Sequence, residues 1–129
     1  MLFRSFVGSD ANSTDNYLLV DDGAAPDEDT TYVESGTTGN KDTYAFTNTP
    51  SGITSVSAVV VRVLGKKTTA AAQDLKAVAR SVATETDSAA IGLTTAYTMR
   101  GAIYEIDPNT SAAWATAAVD AAEFGVKVA

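Results

Sequence analysis

The chain contains neither cysteine nor histidine. Without cysteine there are no disulfide clamps and no thiol chemistry, and the compartment is left open. Without histidine there are no imidazole metal ligands, no His-based triads and no ordinary imidazole acid–base catalysis. Any enzyme built from the remaining residues would have to work through carboxylates, so the expectation is a noncatalytic protein. Proline is scarce at three residues, and no Pro-rich or Gly-rich linker, heptad or internal repeat interrupts the chain. No apolar run approaches the ~18 residues of a membrane-spanning helix. The opening MLFRSFVGS is too short in apolar residues to be expected as a secretory signal. Cations are few, with nine Lys and Arg against sixteen Asp and Glu, for a net charge of −7. A duplex-binding surface needs clustered cations, and only Arg62, Lys66 and Lys67 cluster. Neither nucleic acid nor membrane insertion is expected.

What is present suits a single packed domain. The 129 residues are 45% apolar, and a chain of this size buries roughly two-thirds of its unfolded surface without metal or disulfide. Short apolar runs alternate with turn-like segments. Tyr17 to Val20 and Thr30 to Val33 read as short strands, separated by the acidic loop DDGAAPDEDT. Thr43 to Thr47 alternates, with Tyr44 and Phe46 on one face. Ile53 to Leu64 is rich in β-branched valine. Val59, Val61 and Val63 share one face and Val56, Ala58, Val60 and Arg62 the other, so both faces are expected to be largely covered while Arg62 reaches toward an edge or partner.

TAAAQDLKAVARSVATET is ambiguous. Ala71, Leu75, Val78 and Val82 fall at helical spacing, and alanine favours helix; the strand alternative leaves a less tidy face. Leu93, Thr95, Tyr97 and Met99 repeat at period two, and Gly101 marks a possible bend or bulge. Asp107-Pro108-Asn109-Thr110 is a turn, with Asp107 organising it through local backbone contacts. A short helix is predicted over 117–122, then Gly125 as its stop and Phe124, Val126 and Val128 in a terminal strand. Trp114 supplies a large apolar surface beside the turn, and with Phe124 it reads as a lock on one end of the core.

Three candidate chemistries compete with plain structure. Asp21, Asp22, Asp27, Glu28 and Asp29 are oxygen ligands of the kind calcium prefers, but they lack the EF-hand pattern, and a solvated acidic loop is the simpler reading. Asp27 with Asp29, or Glu105 with Asp107, supplies no evident opposed pair for sugar hydrolysis. Tyr32, Tyr44, Tyr97 and Tyr104 would serve a glycan platform or, equally, half-buried strand positions.

The ordered set DEDTTYVES, KDTYAF, ITSVSAVVVRV, IYEIDPNTSAAW and VDAAEFGVKVA resembles a family of tailed-bacteriophage virion structural proteins, over about Tyr17 to Val128. The resemblance implies an all-β, jelly-roll-like antiparallel β-sandwich with at most one short helix near the C-terminus. It also turns 74–82 into a strand. Ser111 stands where the family pattern has glycine, and Ala115 where it has threonine. The implied role is a capsid-decoration or tail-associated subunit of the virion, docked on other virion proteins and on copies of itself, with a surface glycan as the alternative ligand. On this reading residues 1–16 form an arm, docking through Leu2, Phe3, Phe6 and Val7 or packing locally, and 17–129 form the sandwich. No cofactor is implied. The structural or interface candidates are Leu2, Phe3, Phe6, Arg62, Asp107, Pro108, Trp114 and Phe124.

Overall fold

Alanine-rich sequence becomes strand here because small side chains are what the packing needs. The structure, a computed structural model, describes residues 2–129. In chain order its strands are β1 (Val7–Gly8), β2 (Val33–Glu34), β3 (Lys41–Ala45), β4 (Val59–Gly65), β5 (Asp74–Ser81), β6 (Thr84–Asp87), β7 (Ile91–Gly92), β8 (Thr98–Tyr104), β9 (Ile106–Asp107), β10 (Ala112–Ala113) and β11 (Glu123–Val128), with α1 (Thr116–Ala121) before the last. The domain is mostly β: antiparallel sheets packed together, with a single short α-helix near the C-terminus. The main sheet runs β3-β11-β5-β6, and β7 also pairs with β5. Against it lies a two-stranded ribbon, β4-β8. No helix among the described residues is long and apolar enough to cross a membrane.

β5 settles the ambiguous alanine segment as a strand. Leu75, Ala77 and Ala79 alternate onto the core side and are buried. Ala77 and Ala79 leave room for Trp114, Phe124 and Tyr104, which form one core cluster with Val61 and Ala122. The Tyr104 hydroxyl donates to the Ala77 carbonyl at 2.7 Å. Helix propensity amounts to a few tenths of a kcal/mol per residue, whereas burying one large side chain contributes about 1.5–3 kcal/mol. A second cluster joins Phe6, Leu75 and Val126.

Several local expectations are corrected. Tyr17 to Val20 is not a strand: Asn16–Leu19 is a 3-10 turn, with Asn16 buried and Tyr17 and Leu18 exposed. Of the segment Thr30 to Val33, only Val33 joins a strand, pairing through β2 with β1. The valine strand starts at Val59, and Ile53 to Ala58 lie outside it. Leu93 to Tyr97 are likewise irregular, and the strand there begins at Thr98. Gly101 is not a bulge. It pairs in regular register with Arg62, and a Cβ there would stand 2.7 Å from the Val61 carbonyl oxygen. Gly125 does not end a unit either; it sits inside β11, flanked by Thr43 and Val78. The terminal strand is therefore central in its sheet.

Residues 3–5 extend the main sheet beyond β3. Ser5 donates its N–H to the Lys41 carbonyl at 3.0 Å, and Thr43 donates to the Phe3 carbonyl at 2.9 Å. The Phe3 ring lies under the Lys41 ammonium, 3.8 Å from its centroid, with the Arg80 guanidinium 5.3 Å away. Such cation–π contacts favour an ordered arm. Phe6 is inside the core.

Among the described residues four non-glycine residues, Ala11, Glu28, Val82 and Ser111, lie in the left-handed region of backbone space. Ser111 has φ 57° just past the Asp107 turn, and the exposed Val82 has φ 56° between β5 and β6. That conformation is strained for L-residues and not for glycine, most of all where the residue is β-branched. Ser111→Gly and Val82→Gly are each expected to raise the urea midpoint, by about 0.5–1 kcal/mol of stability, Val82→Gly the more. A fall in midpoint for both would show that the side chains contribute more than the strain costs.

Candidate functional site

The ribbon has one covered face and one open face. Its register sets Val60 opposite Ile103 and Arg62 opposite Gly101. Val59, Val61 and Val63 turn inward, and Val61 is buried in the core. Val60 and Ile103 turn outward and remain 56% and 67% exposed, with Met99 further along at 42%. The expectation that both faces of the valine strand are covered is therefore corrected, because the second layer consists of two strands and, among the described residues, nothing packs outside it. A directly opposed Val–Ile pair on a bare sheet face is the composition of a buried surface.

A groove of about 340 Å³ runs beside β4, lined by Phe46, Val59, Val60, Val61, Arg62 and Phe124. Phe46 lies one residue past β3 and is 62% exposed. Its ring centroid is 6.1 Å from Phe124, which is 6.0 Å from Trp114, both pairs tilted. The three rings step from surface to core in the geometry aromatic pairs favour. β4 pairs with β8 alone, and no other backbone hydrogen bond among the described residues reaches it. Arg62 is exposed and takes part in no ion pair among the described residues.

At the far end of the ribbon the acidic loop is tied down. Asp29 accepts from the Lys66 ammonium at 2.5 Å and from the Tyr97 hydroxyl at 3.1 Å. The Lys66 hydrogen bond holds the Asp29 carboxyl below its ordinary range. Tyr97 is pushed up to about 12, by desolvation first and then by Asp29. Asp27 accepts from the Thr31 N–H and hydroxyl, and Asp22 from the Asp27 N–H. These carboxylates serve the loop's own backbone, and among the described residues no three metal-ligating side chains converge. The tyrosines are dispersed in role: Tyr44 donates to Asp42, Tyr97 to Asp29 and Tyr104 to Ala77.

The remaining candidates fall in three places. Trp114 is 2% exposed, and its Nε1–H donates to the Tyr104 carbonyl at 3.1 Å. Asp107 is buried and accepts from the Asn109 N–H at 2.8 Å, while Pro108 occupies the turn between them. Leu2 borders a smaller groove with Arg4, Tyr17 and Tyr44. No family model, curated protein or solved structure matches the chain.

Asp42 escaped the sequence reading, although it shares a face with Tyr44 in KDTYAF. It is fully buried and accepts from the Phe6 N–H at 2.8 Å, the Asn16 amide at 2.5 Å and the Tyr44 hydroxyl at 3.0 Å. Burial, then the Asp42 charge, raises Tyr44 far above the ordinary phenol value. An aspartate on the apolar face of an alternating strand was the available signal, since a buried carboxylate needs donors from elsewhere in the fold.

Proposed function

We propose that the chain is a noncatalytic structural subunit that works by protein–protein docking through the outer side of its β4-β8 ribbon. The observation that carries this reading is the exposed Val60–Ile103 pair beside an unpaired strand edge. Apolar surface of that kind gains about 25 cal/mol per Å² when a partner removes it from water. Repetition multiplies modest contacts, because each further contact of an arrayed subunit forms at high effective concentration. The resemblance in IYEIDPNTSAAW and its neighbours supports an array on a tailed-phage virion, as capsid decoration or as a tail-associated part.

The test uses native particles and an antibody against the chain, with particles lacking the protein as control. Regular label over the head supports capsid decoration, and label confined to the tail supports a tail part. Absence of the chain from both intact and disrupted particles overturns the virion assignment. Val60→Asp and Ile103→Asp then probe the surface. Both positions are exposed, so the thermal midpoint is expected to stay within about 2–3 °C of wild type, while recruitment to particles lacking the protein falls at least tenfold. Undiminished recruitment would rule out the ribbon face.

A further inference from the structure

We infer that the open edge of β4 receives an extended segment of a partner protein as an added strand, with a carboxylate of that segment set against Arg62. This deepens the docking reading and rests on it. The edges of the main sheet, in contrast, are protected. β3 is flanked by residues 3–5 of the chain itself, and β6 is four residues long and carries Glu85 and Asp87. Short, charged or covered edges resist strand addition. The edge of β4 is neither short nor covered among the described residues, and its one charge is Arg62. It is seven residues long, reads VVVRVLG, and contains neither proline nor lysine nor any acidic residue.

The backbone of β4 dictates the shape of the occupant. Its outward N–H and C=O groups lack backbone partners among the described residues, and an extended chain satisfies them in alternation. The groove dictates apolar side chains. A segment lying along Val59 to Arg62, about 13 Å of strand, would cover Phe46 and the exposed margin of Phe124, which β4 leaves open on that side. It would thus supply the next strand of the ribbon layer. Charge selects the partner. β4 and β8 contain Arg62 and Arg100 and no acidic residue, in a chain of net charge −7. Arg62 borders the apolar groove without an ion-pair partner among the described residues, and a guanidinium there favours a carboxylate, in bidentate geometry where possible. A second copy aligned through its own β4 would bring a second Arg62 and no carboxylate, so a carboxylate-bearing partner fits better.

The probes are a nine-residue peptide of alternating Thr and Val with a central Glu, its twin with central Lys, and a Glu version with alternate amides N-methylated. Binding to the full chain is followed by fluorescence anisotropy and by amide shifts in an isotope-labelled sample. The Glu peptide is expected to bind about tenfold tighter than the Lys peptide, with shifts centred on Val59 to Arg62. The N-methylated peptide should not bind, and Arg62→Glu should invert the Glu/Lys preference while leaving the circular dichroism spectrum unchanged. Equal binding of both charges, shifts away from β4, no binding by any probe, or sedimentation as a dimer with β4 amides already protected would each overturn the inference. Loss of particle recruitment by Ile103→Asp alongside failure of the peptides would leave the docking reading standing and remove only this one. Peptide binding by a chain that no particle contains would do the reverse.

Discussion

Gly125→Ala is expected to destabilise the protein by at least about 3 kcal/mol, and a failure to accumulate folded protein would agree with that. A Cβ at this position would overlap the Asp42 carbonyl oxygen and stand 2.8 Å from both the Asp42 carbonyl carbon and the Thr43 Cα. All three are backbone atoms of β3, the strand paired with β11. Ordinary overpacking costs about 1–3 kcal/mol because side chains shift to relieve it. Here relief would require β3 to separate from β11, and β3 also holds residues 3–5 and the buried Asp42 carboxylate. Urea denaturation of wild type and variant measures the difference. A variant within about 1 kcal/mol of wild type would mean that the two strands part freely, against the packing described above.

Asp42→Ala carries the second largest expected loss, about 3–5 kcal/mol, or roughly 10–20 °C in Tm for a domain of this size. Its removal strands three donors at once: the Phe6 N–H, the Asn16 amide and the Tyr44 hydroxyl. Each buried donor left unsatisfied costs about 1–3 kcal/mol. The three come from the arm, the 3-10 turn and β3 itself, so the loss spreads beyond one strand. Phe6 is also the member of the second core cluster that the arm contributes. Increased proteolysis near residues 2–16 should therefore accompany the fall in Tm. Asp42→Asn keeps one acceptor oxygen and should lie between alanine and wild type. An unchanged Tm in Asp42→Ala would show that water or local rearrangement serves these donors as well as the carboxylate does.

Particular residues show how far a sequence can be read. Asp107-Pro108-Asn109 is plain as a turn because its signal is local: the aspartate caps an N–H two residues on. The valine strand is plain in kind, since β-branching and alternation act within one segment. Its limits are not, because Ile53 and Val56 continue the apolar, β-branched signal while the pairing with β8 stops at Val59 opposite Tyr104. Nor does pattern alone reveal that one face of that strand is bare. Alternation reports which residues share a face, and only the number of strands in the second layer decides whether the face is covered.

Composition and order therefore determined a great deal: the exclusion of thiol and imidazole chemistry, the valine strand, the short helix before the last strand and the turn beside Trp114, while the all-β class came from the resemblance and not from composition. Tertiary structure alone decided the rest. β5 is a strand because Trp114, Phe124 and Tyr104, distant in sequence, need the shallow surface that Ala77 and Ala79 provide. Gly125 is fixed by the approach of a backbone from far earlier in the chain, and Asp42 by donors from three separate segments. The open edge of β4 exists because the described residues supply no third strand to the ribbon layer. Local propensities are worth tenths of a kcal/mol per residue, and nonlocal burial and pairing are worth several; where the two disagreed, the nonlocal terms prevailed.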